Sequence, residues 1–147
     1  MHKYKKIPPV GSLMTPFPYF VEADEPVERV KLLMLEHTIR HIPVQENGAV
    51  VGIVSERDLH HSAVRSLPKE KREQIRAREV MVSNPYVVTF DTPLNKVTRE
   101  MAKRHIGSAI ILHHGKLAGI LSAMDACRIL AEILESEFAP SSGNDAA

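Results

Sequence analysis

The sequence predicts an α/β (α+β) fold made of two tandem β-α-β-β-α units. Three observations carry this. Shifting the chain by sixty-seven positions superposes Met14 on Met81, Asp24 on Asp91, Pro26 on Pro93, Val30 on Val97, Met34 on Met101, Gly48 on Gly115, Ser55 on Ser122 and Asp58 on Asp125, with no gap. Scattered chance identities do not hold one register across a whole unit, so the chain is an internal duplication. Each copy has apolar residues at helical spacing, and each has two apolar runs joined by a glycine turn.

The elements follow in order. "YFVEA" and "YVVTF" read as short strands. Each is followed by an Asp-x-Pro start, with proline where the first turn of a helix tolerates it and Thr92 suited to cap the second copy. Val27, Val30, Leu33 and Met34 then recur on one helical face, as Leu94, Val97 and Met101 do in the second copy. "HIPVQENGAVVGIVS" is a hairpin turning at Asn47-Gly48, and "SAIILHHGKLAGILS" is its counterpart turning at His114-Gly115. A closing helix is expected from 56 to about 65 and again from 123 to about 137. These boundaries give an N-terminal arm over 1–10, a first repeat over 11–66, a charged linker over 67–78, a second repeat over 79–135 and a flexible tail over 136–147.

A chain of 147 residues is long enough for one well-cored domain and short for two independent ones. Its net charge of +1 gives no reason to expect a nucleic-acid partner. The single cysteine, Cys127, allows no internal disulfide and fits a reducing compartment. The basic start has no apolar segment behind it, as a secretory signal would, and no apolar run is long enough to insert in a membrane. The expectation is a cytoplasmic protein.

Each repeat closes on the pattern Gly, two apolar residues, Ser, two variable residues, Asp: "GIVSERD" over residues 52–58 and "GILSAMD" over 119–125. Serine with an acid three places on is a capping box, so either copy alone is read as a helix start. Taken with "LMTPFPYFV", "VMVSNPYVV" and "HIPV", the duplicated unit resembles a tandem pair of cystathionine-β-synthase (CBS) domains, a Bateman module, over about residues 11–133. The resemblance implies two units packed with pseudo-two-fold symmetry, leaving two clefts that hold an adenosine ligand: AMP, ADP, ATP or S-adenosylmethionine. It also implies a regulatory, allosteric sensor that forms a homodimer, needs no cofactor and controls an effector protein in trans.

The residues suit such a ligand. An ionised Asp58 or Asp125 is an acceptor-only group for the vicinal hydroxyls of a ribose. Each stands in the first turn of a helix, where the dipole favours its charge. Ser55 and Ser122 reach either the ligand or the free N–H groups of that helix. Tyr19, Phe20, Val21, Ile42 and Pro43, with Tyr86, Val87, Val88, Ala109 and Ile110, are candidates for an apolar slot around the base, and the resemblance puts these segments at the adenine. Strand alternation lets at most half of them face a cleft, the rest being core. The copies are unequal: Arg40, His41, Arg57, His60, His61 and Arg65 answer to Gly107, Ser108, Met124, Cys127, Arg128 and Glu132. Arginine forks hold phosphate oxygens, so the Asp58 cleft is expected to prefer a phosphorylated ligand. Surface positions for Arg57 and the histidine pair are the competing reading.

Other functions fit less well. His37 and His41 would offer metal-ligand spacing only if one helix held both. Catalysis lacks a nucleophile elbow, a P-loop, a dinucleotide fingerprint and an H-E-x-x-H motif, and Cys127 reads as a core or near-core thiol, with His105 the one candidate activator. An interaction scaffold without ligand is the remaining alternative.

Overall fold

A computed structural model describes residues 6–61 and 63–138. The first five residues of the expected arm and residues 139–147 of the expected tail lie outside them. After a 3-10 turn (Val10–Ser12) come β1 (Thr15–Pro16), β2 (Val21–Glu22), α1 (Val27–His37), β3 (His41–Glu46), β4 (Ala49–Ser55) and α2 (Glu56–His61). A second 3-10 turn (Ala63–Ser66) leads to α3 (Lys69–Arg72), α4 (Ala77–Val80), β5 (Val87–Thr89), α5 (Leu94–Arg104), β6 (Ser108–His113), β7 (Lys116–Ser122) and α6 (Ala123–Glu137). Both hairpins turn where the sequence indicates, with Asn47-Gly48 and His114-Gly115 all at positive φ. The helix expected from 56 to about 65 is described as α2 over Glu56–His61 and a 3-10 turn over Ala63–Ser66, and α6 continues past the boundary placed at 135.

One sheet has the order β2-β3-β4 and the other β1-β7-β6-β5. β2 and β5 run parallel to the hairpin strand beside them, and both hairpins carry a register shift, at Val44/Gln45 and at Ile111/Leu112. The sheets meet through β4 and β7. Two aliphatic cores lie behind them, one containing Val27, Val30, Ile42 and Val54, the other Val97, Ala109, Ile111 and Leu121.

The repeats exchange their lead-in segments. Val10, ahead of the first repeat, is fully buried in the core of the second; Ala77, ahead of the second, is fully buried in the core of the first. The Val10 and Gly11 amides donate to the carbonyls of Thr92 (2.7 Å) and Phe90 (2.9 Å). The Ala77 and Arg78 amides donate to those of Glu25 (2.8 Å) and Ala23 (3.0 Å), the same bonds shifted by sixty-seven positions. β1 pairs with β7 through Thr15–Ile120, and Val82 bridges to Ile53 of β4 in the same way. The exchange explains two sequence features. Gly52 and Gly119 leave room for the thioethers of Met81 and Met14, which a Cβ would strike. The first amides of α1 and α5 are satisfied by the carbonyls of Ile75 (2.8 Å) and Pro8 (2.9 Å). Thr92 therefore does not cap α5: Pro93 holds that position, and the Thr92 hydroxyl lies 3.1 Å from that of Thr89.

Candidate functional site

β4 ends at Ser55 and turns directly into α2, which fixes the serine and Asp58 relative to each other. The Ser55 amide donates to Asp58 Oδ2 at 2.8 Å, and the Asp58 amide donates to Ser55 Oγ at 3.1 Å. The second copy repeats this between Ser122 and Asp125, at 2.9 Å and 3.0 Å. Both motifs are therefore capping boxes, as the simpler reading requires.

The copies differ in what the capping leaves over. Asp58 gives Oδ2 to the cap, and among the described residues no donor is hydrogen-bonded to its Oδ1. At Asp125, Oδ2 also accepts from the Thr15 hydroxyl at 3.4 Å, and Oδ1 lies 3.6 Å from the Arg128 guanidinium. Thr15 comes from the exchanged segment, and Val82 is its counterpart beside Asp58. With an apolar side chain there, and with His61 at the position of Arg128, the Asp58 carboxylate has neither contact and is left half open.

Asp58 faces a cleft of about 630 Å³ between the repeats. The first repeat contributes Arg40, His41, Ile53, Ser55, Arg57 and Asp58; the second contributes Val82, Pro85, Tyr86, Arg104, His105 and Ser108. Arg57 is exposed and carries no carboxylate partner among the described residues. Arg40 faces Glu56 at 3.4 Å. Arg104 lies 4.6 Å over the Tyr86 ring and is held by Glu100 at 2.7 Å, an ion pair that draws the Glu100 carboxyl below its ordinary range. Burial, helped by the charge of Glu100, raises the Tyr86 phenol. Basic groups thus line one part of the cleft, and Ile53, Val82, Pro85 and Tyr86 supply an apolar part.

His41 starts β3 opposite Ser55, with its imidazole against Gly107. Burial is the main cause that holds it below its ordinary value; the charges of Asp58 and Asp125 pull the other way, and Arg40 adds to burial. The ring is thereby biased to the neutral form between the two aspartates.

Of the residues expected around one ligand, Arg40, His41, Ser55, Arg57 and Asp58 come together, joined by Tyr86 and Ser108 from the other repeat. Val21, Ile42, Pro43 and Ala109 are fully buried, so their side chains offer no surface to a cleft. Val88 packs against the second core, and Val87 is exposed at 37% on the edge strand. Tyr19 and Phe20 are about half exposed, and Tyr19 stacks on His37 with ring centroids 3.8 Å apart, in the position where the other repeat places Tyr86 under Arg104. Ser122 and Asp125 occupy the pseudo-symmetric position. The slot beside Asp58 therefore draws its aromatic from the opposite repeat. Ile53, Val82, Pro85 and Arg104 escaped the sequence reading; the usable signal was that Tyr86 and Arg104 answer to Tyr19 and His37 in the repeat register.

His37 ends α1 and His41 starts β3, so the two do not share a helix. Among the described residues no three or more His, Cys, Asp or Glu side chains converge as a metal site would require. Cys127 is exposed on α6, not a core residue as the apolar pattern suggested. No helix among the described residues is long and apolar enough to cross a membrane.

Comparison with known proteins identifies the family. Residues 10–64 and 77–132 each match the CBS domain family. A zinc metalloprotease of Methanocaldococcus jannaschii is 32% identical over 123 residues, covering 84% of this chain; the chain spans 32% of that protein's length. Among solved structures, a Vibrio cholerae protein described as an acetoin utilization protein superposes with a TM-score of 0.78 at 27% identity, over 92% of this chain and 100% of that one. CBSX2 in complex with AMP gives 0.72 at 27% identity, over 85% and 97%. With two family matches in one repeat register, the chain belongs to the CBS domain family, as a tandem pair.

Proposed function

We propose that this CBS pair is a non-catalytic regulatory sensor that binds a phosphorylated adenosine ligand in the Asp58 cleft and acts on a separate effector protein. The observation that carries the reading is that, among the described residues, Asp58 Oδ1 has no donor and Arg57, in the same cleft, has no carboxylate partner. Capping requires one carboxylate oxygen, and the second is available to accept from ribose hydroxyls. Arg57 and Arg40 supply forked donors for phosphate, while Tyr86, Ile53 and Val82 offer an apolar face to the base. The AMP complex of CBSX2 supports this ligand class. AMP, ADP and ATP all meet these requirements; S-adenosylmethionine, lacking phosphate, makes less use of the arginines. The Asp125 side, with both oxygens engaged, is the weaker site.

Regulation follows if the ligand binds more tightly to one arrangement of the two repeats than to another, since only differential affinity shifts such an equilibrium. A cytoplasmic homodimer is part of this reading. Leu130, Ile133 and Leu134 are exposed along α6, with Phe138 exposed at its C-cap, and provide an apolar patch for a second copy. The scaffold alternative draws support from Asp125, where the carboxylate is engaged within the protein.

Calorimetric titration of AMP into the wild type, Asp58→Asn and Asp125→Asn tests the proposal. Asparagine keeps a cap acceptor but puts an amide where the free oxygen was. Asp58→Asn is expected to weaken AMP binding about tenfold or more at unchanged stability, and Asp125→Asn to leave it within about twofold. Equal losses, or loss only at Asp125, would reject the assignment; no binding by wild type would favour the scaffold.

A further inference from the structure

A second cavity, of about 440 Å³, lies across a wall made of Arg40, Glu56 and His60, which border both it and the Asp58 cleft. Its lining is aliphatic where it is deepest: Met34 and Leu59 are buried and Ile39 partly so, while Leu35 is 81% exposed at the mouth. Among the described residues no aromatic ring lines it apart from the imidazole of His60. This composition suits a saturated chain rather than a stacked base.

Three cations, Lys31, Arg40 and Arg65, share the rest of the lining with Thr38, Glu56 and His60, and they are unequally committed. Lys31 faces Glu28 at 3.5 Å, and Arg40 faces Glu56 at 3.4 Å. Arg65 has no carboxylate partner among the described residues; its guanidinium donates to His60 Nδ1 at 3.1 Å. An imidazole that accepts at Nδ1 carries its proton on Nε2, and that nitrogen lies 3.5 Å from Glu56 Oε1. Glu56, the one acid in the lining among the described residues, is therefore already placed between Arg40 and His60. Arg65 is left as a forked donor at the rim of an apolar hollow.

We propose that this cavity binds a medium-chain acyl carboxylate, with the chain on Met34, Ile39 and Leu59 and the carboxylate on Arg65. The cavity has the size of a small-molecule pocket, and a guanidinium matches a carboxylate through two parallel hydrogen bonds. Arg40 borders both cavities, but Asp58 and Arg57, on which the nucleotide assignment rests, do not line this one, and the proposal does not depend on that assignment.

The test is a titration of the ¹⁵N-labelled full chain with sodium octanoate, followed by NMR. Saturable shifts are expected at the amides of Leu35, Thr38, Ile39 and Leu59. Octylamine, with the same tail and the opposite charge, is expected to leave them unsaturated. Arg65→Gln should weaken octanoate binding about tenfold, equivalent to about 1.4 kcal/mol. Leu35→Glu, a change at an exposed position, should weaken it too by placing a like charge at the mouth. Asp58→Asn should leave it unchanged, so the two assignments fail separately. Equal binding of octanoate and octylamine, wild-type affinity in Arg65→Gln, or no saturable shift would overturn the proposal. So would self-association that shields these amides whether or not octanoate is present, which would make the groove a contact between copies.

Discussion

Val10→Ala tests the exchange of lead-in segments directly. Val10 precedes the first repeat in the chain, yet its side chain is fully buried in the core of the second. Alanine removes two carbons from that core, about 0.8 kcal/mol each in transfer energy, with a further cavity term because the β6–β7 hairpin and α5 close over the gap only in part. The expected loss is about 2–3 kcal/mol. In a chain of this size that corresponds to a fall in Tm of about 5–10 °C. Urea denaturation gives the stability loss, and native-state hydrogen exchange locates it. Amide protection should drop first in β6 and β7, the strands over Val10, while β3 and β4 keep theirs until global unfolding. Met81→Ala, whose thioether lies against Gly52, should give the converse pattern. If Val10→Ala loosens β3 and β4 instead, or costs nothing, the segment does not pack where the structure puts it and the exchange is refuted.

Other outcomes follow from the same structure. Gly119→Ala drives a methyl into the Met14 thioether and should destabilise by about 1–3 kcal/mol; the double variant with Met14→Ala should recover part of that, and strict additivity in urea melts would contradict the close approach. His41 is held below its ordinary 6.5 chiefly by burial, so as pH falls the unfolded chain takes up this proton before the folded one. Its contribution to stability is whole above about pH 6.5, declines as pH falls toward the folded value and then levels off. His41→Gln should flatten Tm against pH in that window, and an unchanged slope would remove the burial argument.

Much of the architecture was legible in the residues. The sixty-seven-residue register showed two copies of one unit before any element was assigned. Helical spacing at Val27, Val30 and Met34, and at Val97 and Met101, marked faces that are buried in the structure. Asn47-Gly48 and His114-Gly115 marked turns because positive φ is a local requirement. The capping boxes of Ser55 with Asp58 and Ser122 with Asp125 were legible for the same reason, each being closed within four residues.

The residues alone therefore specify the duplicated unit, its local elements and the pairs of groups that lie within one turn of each other. Which lead-in segment enters which core depends on contacts made through space. In a duplicated chain Val10 and Ala77 stand before the same local pattern, and that pattern suits packing against either repeat equally. The choice is made through space, where each methionine meets the glycine of the other repeat and each lead-in carbonyl meets the first amide of the other repeat's helix. That choice also places Tyr86, Arg104 and Val82 beside Asp58 and sets the Thr15 hydroxyl on Asp125. Two nearly identical motifs consequently differ for two reasons: locally, Arg128 stands on Asp125 Oδ1 where the first copy has His61, and through space Thr15 reaches Asp125 Oδ2 from 110 positions away, a contact that no local periodicity encodes.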